Sequence, residues 1–201
     1  MSPYSKAFQT HLRKYPMKTM KTLKSVLILL TLPLITVGAE SSSPLMAKVR
    51  DATEPFKDVN VAIAAGFVQG TMCVNVDGRS MGIYFVHSDL IGGSALDVNQ
   101  PQALIYEPLS NGSLRLVGAE YIMLASVWTK QHPGANPPAL EGQPLNLVES
   151  PISYRRADYR HSLPAFYDLS VLAWEHNPVG TFADWSTGVS CVQQPSQVAE
   201  K

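Results

Sequence analysis

Two carboxylates interrupt apolar, strand-like runs of this sequence. Glu120 lies within the run from Leu116 to Met123, and Asp168 lies within the run from Ala165 to Trp174. Moving a carboxylate from water into a buried strand is costly in free energy unless a partner group compensates its charge. Each residue therefore faces solvent by alternation, is a satisfied polar group of the core, or is a candidate general base.

Further polar side chains occur in strand-like segments, among many aromatic residues. Ligand pockets are typically apolar cavities into which a few polar groups converge. The sequence therefore predicts a small-molecule pocket, and its candidate binding residues are Tyr84, Glu120, Tyr121, Asp168 and Ser170.

Motifs for other kinds of chemistry are missing from the sequence. Four histidines follow residue 39, namely His87, His132, His161 and His176, and none has the spacing of a zinc motif. No glycine-rich phosphate loop and no Gly-x-Ser-x-Gly turn occur, which argues against nucleotide binding and against an α/β-hydrolase. Whether the protein uses a cofactor stays open.

The N-terminal 39 residues have the pattern of a secretory signal peptide. Lysines precede an apolar run from Val26 to Val37, and a small residue follows at Ala39, after which we expect cleavage. The run is too short for a membrane-spanning helix, and Pro33 interrupts it. Met17 offers an alternative start, which leaves open whether residues 1–16 are translated. The sequence thus predicts an exported protein, periplasmic or extracellular, without a membrane span after cleavage.

The predicted mature chain, residues 40–201, is acidic. The sequence has 16 basic and 16 acidic residues, but six of the basic ones lie before residue 40, and none of the acidic ones does. Nucleic-acid-binding modules present clustered Lys and Arg instead, so nucleic acid is excluded as a partner. The one basic cluster, Arg155, Arg156 and Arg160, has the composition of a solvated loop or of an anion-binding segment.

The cysteines Cys73 and Cys191 are the only ones in the sequence. Their wide separation fits neither a dithiol motif nor a metal site, whereas in an oxidising compartment it predicts a disulfide bond. About 160 residues without repeats are the size of one domain. We therefore expect a single exported domain over residues 40–201.

Local patterns predict an α+β fold with a mainly antiparallel sheet, one N-terminal amphipathic helix and long Pro-rich loops. Apolar spacing predicts the helix, alternating apolar runs predict the strands, and Asn111-Gly112 predicts a β-hairpin turn. The predicted elements are a helix over Pro55–Phe67, a strand over Gly82–Val86, a hairpin of Ala103–Glu107 with Leu114–Met123, a loop over Thr129–Pro144 and a strand over Ala165–Trp174.

Several segments resemble a family of small exported bacterial proteins with no established function. The resemblance spans nearly all of the predicted mature chain and implies no reaction. It is carried by Ala64-Ala65-Gly66-Phe67, Met81-Gly82-Ile83 with Val86, Leu104-Ile105-Tyr106-Glu107-Pro108, Leu114 to Tyr121, Leu163-Pro164-Ala165-Phe166-Tyr167, and Asn177-Pro178 followed by Thr181-Phe182-Ala183-Asp184-Trp185 up to Cys191.

The resemblance also bears on metal binding. Members of the family tend to have histidine at the positions of Tyr84 and Ser170 and glutamate at the position of Glu120, which together resemble a facial metal triad. This chain lacks both histidines. The remaining metal candidates are Glu120 and His87, but His87 is three residues beyond Tyr84 and is expected on the opposite face of that strand.

These observations favour an exported protein that binds a small ligand. One alternative is an enzyme that uses Glu120 or Asp168 as its general base, with or without a metal ion. The other is an envelope interaction or structural protein, in which Trp128, Trp174 and Trp185 supply contact surface.

Overall fold

A computed structural model describes residues 43–149 and 163–191 of the chain. All of these residues belong to the unit from Glu40 to Lys201, which internal contacts separate from residues 1–39. The predicted leader with its cleavage site, the arginine cluster from Arg155 to Arg160, and His161 lie outside the described residues.

Three α-helices and one 3-10 helix of more than three residues lie in the described parts of the chain. The first α-helix begins with proline, whose fixed φ suits the first turn, and it buries residues spaced by four, Leu45, Val49 and Thr53. The helices are α1 Pro44–Thr53, a 3-10 helix Glu54–Lys57, α2 Val59–Ala64 and α3 Ala125–Gln131.

The strands form one large sheet and two small hairpins. In chain order, the strands of the described residues are β1 Val68–Gln69, β2 Asn75–Val76, β3 Arg79–Ser80, β4 Ile83–Val86, β5 Ala103–Pro108, β6 Leu114–Leu124, β7 Ala139–Leu140, β8 Gln143–Pro144, β9 Asn146–Val148 and β10 Phe166–Val171. The large sheet has the spatial order β1-β4-β5-β6-β10-β9, and its neighbouring strands are all antiparallel. The α+β fold with a mainly antiparallel sheet is therefore confirmed.

The hairpin of β5 and β6 forms the centre of this sheet, as its turn residues predict. Gly112 has a φ of 82°, a conformation that glycine adopts without strain. The side-chain oxygen of Asn111 accepts hydrogen bonds from the backbone N–H and the hydroxyl of Ser113. This local bonding closes the loop without help from the rest of the molecule.

The predicted helix over Pro55–Phe67 is shorter than expected. Asp58 is extended and accepts a hydrogen bond from the backbone N–H of Asn60, so it caps a new helix, α2, and separates it from the preceding 3-10 turn. Ile63, which the four-residue spacing from Val59 puts on the apolar face of the predicted helix, is 53% exposed. Helix α1 was not predicted at all, although Pro44 and the spacing of its buried residues are signals for it.

The Pro-rich region over Thr129–Pro144 is more regular than a loop. Its first residues complete α3, and β7 and β8 pair across the two-residue turn Glu141-Gly142, in which both residues have positive φ. This is the geometry that tight hairpins favour. The remaining residues, 132–138, connect the two elements without strand or helix.

The two faces of the large sheet carry separate apolar clusters. The larger cluster lies between the sheet and helices α1 and α2, and it includes Val49, Ala62 and Leu104. The smaller one lies on the opposite face, where Tyr84 and Ile105 pack against Val189 near the C-terminus.

The two cysteines form the disulfide bond that the sequence predicts. Cys73 and Cys191 have a Cα–Cα distance of 5.5 Å. The segment before Cys191 is also hydrogen-bonded through backbone groups of Ser186 to Ser80 in both directions. In the described residues, no helix has the length and apolar character needed to cross a membrane.

Candidate functional site

Three of the predicted polar residues meet on one face of the sheet. Ser170 of β10 lies directly opposite Glu120 of β6, and Asp168 lies opposite Ile122. Residues that face each other across an antiparallel pair point to the same side, and so do residues two apart in one strand. Glu120, Asp168 and Ser170 therefore share the face of the smaller cluster.

Tyr84 reaches the same face through the central hairpin. It pairs with Ile105 of β5, which in turn pairs with Gly118 of β6. Gly118 is two residues from Glu120, so all four positions point to one side. The register thus brings together Tyr84, Glu120, Asp168 and Ser170, which we call the polar face.

The polar face is fully buried. Glu120 and Asp168 are both 0% exposed, Ser170 is 1% and Tyr84 is 2% exposed. Neither carboxylate is without an interaction partner, which is what burial of a charged group requires. The Ser170 hydroxyl, by contrast, makes no hydrogen bond to any part of the chain that the structure describes.

Tyr121 does not join the other candidates. It follows Glu120 directly in β6, so its side chain points into the larger cluster, and its hydroxyl donates a 2.8 Å hydrogen bond to the carbonyl of Val98. Burial, together with the charge of Asp97, raises the pKa of this phenol well above its usual range. Alternation along the strand was a sufficient signal for this placement.

His87 lies at the end of β4 and stacks edge-on against Phe67, with ring centroids 5.3 Å apart. Its Nδ1 atom is buried and has no hydrogen-bond partner among the described residues. Over the ranges 43–149 and 163–191, neither His87 nor Glu120 belongs to a cluster of three residues able to hold a metal ion.

A surface cavity of about 860 Å³ lies elsewhere, between helix α1 and the chain that follows β10. Met46 and Arg50 of α1 line one side, and residues of the segment 172–181 line the other, with Ser43 at the end of the helix. We call this cavity the α1 groove. Its volume is in the range of small-molecule sites.

Hydrogen bonds join the two sides of the groove. Arg50 Nε donates to the carbonyl of Ala173 at 2.5 Å, and the indole N–H of Trp174 donates to Thr53 Oγ1 at 2.9 Å. Lys57 Nζ lies 3.7 Å from the centre of the Trp174 ring, within cation–π distance. These contacts fix the position of Trp174 relative to α1.

Asn177 holds the groove's loop in shape. Its side-chain nitrogen donates to the carbonyls of Ala183 and Trp185, and its side-chain oxygen accepts from the N–H of Val179. Asn177 is 7% exposed, so these bonds are shielded from water. The loop after β10 is therefore internally braced, as a preformed binding site requires.

The charges of the groove are unequally compensated. Glu175 Oε2 lies 2.9 Å from Arg115, a guanidinium that also binds Glu107. The hydrogen bond from Arg115 to Glu107 raises the pKa of that guanidinium further. Arg50 has no carboxylate within ion-pair distance among the described residues, and its bond to Ala173 uses only Nε.

Sequence reasoning did not find the groove. From the sequence, His176 is considered only as a metal ligand and Trp174 only as contact surface, and Arg50 is not considered. Arg50 and Ala173 are 123 positions apart, so no local pattern links them.

A comparison with protein-family models, with curated proteins and with solved structures finds no match to this chain. The resemblance to a family of small exported bacterial proteins therefore stays a prediction from sequence.

Proposed function

We propose that this protein is exported and binds a small ligand, and that the ligand site is the α1 groove. One observation carries the proposal: a cavity of about 860 Å³ in which aromatic, apolar and polar side chains from two distant chain segments meet. Pockets of this size and composition bind small molecules in many folds. The bracing of its loop by Asn177 supports a preformed site.

The disulfide supports the export part of the proposal. Disulfides persist in oxidising compartments and are rare in the cytosol, so the bond between Cys73 and Cys191 is compatible with an exported protein. The leader pattern over residues 1–39 agrees with this compartment.

The groove is a better candidate than the polar face, where the sequence places the ligand. Glu120 and Asp168 have no exposed surface, so no substrate or ligand atom contacts them from solvent in this conformation. The same burial weakens the catalytic alternative, since a general base must come within hydrogen-bond distance of its substrate. Their burial favours a structural role for both carboxylates.

The test uses the oxidised protein after export, screened against a library of small metabolites by thermal shift and by native mass spectrometry. Met46→Trp should fill the groove and abolish the shifts, because Met46 lines it and is only partly buried. Ala47→Trp is the matched control, since Ala47 is the next, exposed residue of α1 and does not line the groove.

We expect at least one compound to stabilise the wild type and the Ala47→Trp variant but not the Met46→Trp variant. If a compound stabilises both variants equally, the ligand site lies elsewhere in the protein. A library without any hit, combined with a bare chain mass for protein isolated under native conditions, would overturn the binding function itself.

A further inference from the structure

Arg50 is a cation at the wall of the groove, and within residues 43–149 and 163–191 most of its hydrogen-bonding capacity is unused. A guanidinium has five N–H donors, and the described contacts of Arg50 employ one of them, from Nε to the carbonyl of Ala173. This bond also orients the planar guanidinium, because it holds Nε 2.5 Å from the carbonyl oxygen of Ala173 on the opposite side of the groove.

The groove's carboxylate does not neutralise Arg50. Glu175 Oε2 binds Arg115 at 2.9 Å. The ion pairs of the described residues include none between Glu175 and Arg50. The charge of Arg50 is left to attract an anion that enters from solvent.

Apolar and polar residues both line the remaining wall, the polar ones being Ser43, Glu175, His176, Asn177 and Thr181. Met46, Leu172, Trp174 and Pro178 line the groove together with Arg50. The Trp174 ring is held by its N–H bond to Thr53 and does not need a partner from the ligand to satisfy that donor. The lining therefore offers an oriented cation beside the side chains of Met46, Leu172 and Trp174.

We infer that the ligand of the α1 groove is an organic acid, whose carboxylate binds the guanidinium of Arg50 and whose apolar body packs against Trp174. The inference rests on the proposed function, because it names the ligand class for the same groove. Arginine binds carboxylates through two parallel N–H···O bonds, which gives both strength and orientation.

Matched pairs of probes test the inference: phenylacetate against phenylacetamide, and hexanoate against hexanamide. Each pair keeps the body and removes the charge. Binding to the oxidised, exported protein is measured by isothermal titration calorimetry. In the wild type we expect each acid to bind at least about tenfold more tightly than its amide, since hydrogen bonds to charged groups are the stronger ones.

Three variants locate the preference. In Arg50→Gln the affinities for acid and amide should differ by no more than about twofold, because the ion pair that distinguishes the two probes is gone. Arg50→Lys keeps the charge but loses the fork, so its preference should be intermediate. Lys48→Gln, the matched control, removes a cation of the same helix that pairs with Glu141 and does not line the groove, and it should keep the full preference.

Circular dichroism and the unfolding midpoint confirm that each variant is folded. If Arg50→Gln does not fold, the reduced preference expected of Arg50→Lys decides. Equal affinity of acid and amide in the wild type would overturn the organic-acid inference and leave the binding function standing. Absence of binding by all four probes and by the wider library would instead reject the binding function.

Discussion

Two buried serines, Ser170 in the large sheet and Ser80 in the β2–β3 hairpin, differ in the hydrogen bonding of their hydroxyl groups. Ser170 and Ser80 are each 1% exposed, but the Ser80 hydroxyl accepts a 3.0 Å hydrogen bond from Asn75. The Ser170 hydroxyl makes none within the described parts of the chain. A buried hydroxyl without a hydrogen bond destabilises the native state, whereas a bonded one stabilises it modestly.

At the residue scale we predict that Ser170→Ala raises the free energy of unfolding by about 1 kcal/mol, because it removes an unsatisfied hydroxyl from the core. Ser80→Ala, the matched control, should lower it by about 1 kcal/mol, because it leaves the Asn75 amide without its partner. Urea unfolding monitored by tryptophan fluorescence measures both. A loss of stability in Ser170→Ala would mean that its hydroxyl has a bonding role.

At the scale of elements, Gly118 decides how closely the chain after β10 approaches β6. A Cβ at this position would lie 2.4 Å from the carbonyl oxygen of Val171 and 2.9 Å from Cα of Leu172. The obstacles are backbone atoms, which cannot rotate away. We predict that Gly118→Ala lowers the free energy of unfolding by about 2–3 kcal/mol through overpacking.

Gly93→Ala is the control for this prediction. A Cβ at Gly93 would lie 3.5 Å from the nearest atom, the carbonyl oxygen of Leu90, which is ordinary van der Waals contact. Its effect should be smaller than about 1 kcal/mol in either direction. Similar unfolding midpoints for the two variants would show that β10 is not packed as tightly on β6 as the structure has it.

At the scale of the whole molecule, the disulfide joins positions separated by 118 residues and encloses most of the sheet. Closing a loop of that length in the unfolded chain corresponds to ~5 kcal/mol of stabilisation in the chain-entropy model. We predict that replacing both Cys73 and Cys191 by alanine lowers the free energy of unfolding by ~4–5 kcal/mol. Reduction of the wild type by dithiothreitol should have the same effect.

The double variant is the control for the reductant, because dithiothreitol should leave its unfolding midpoint unchanged. If oxidised and reduced wild type unfold at the same urea concentration, the disulfide does not constrain the unfolded chain as the chain-entropy model requires. The C-terminal segment would then be held mainly by its other contacts, such as the bond from the Ser190 N–H to Glu107.

Features that depend on interactions between neighbouring residues could be predicted from the sequence, and features that depend on tertiary packing could not. The β5–β6 hairpin is encoded by apolar alternation and by a turn whose bonds join Asn111 to Ser113, two residues away. The helix predicted over Pro55–Phe67 was too long, because Asp58 caps a new helix that begins at Val59. Tertiary packing buries Ala62 rather than Ile63.

By itself, the sequence determined the four longer strands β4, β5, β6 and β10, the central turn and the disulfide pair, because alternation, turn chemistry and the isolation of two thiols are local or compositional properties. It also implied that Tyr121 faces away from Glu120, because consecutive strand residues point to opposite sides.

Apart from the β5–β6 hairpin, only the tertiary structure decided which strands lie side by side, and hence that Glu120 faces Ser170. The same holds for the α1 groove. Arg50 and Trp174 meet there because helix α1 packs on the sheet beside the end of β10, and the hydrogen bond from Trp174 to Thr53 spans 121 positions. Such a contact depends on how whole elements pack against each other, and short-range sequence patterns do not predict it.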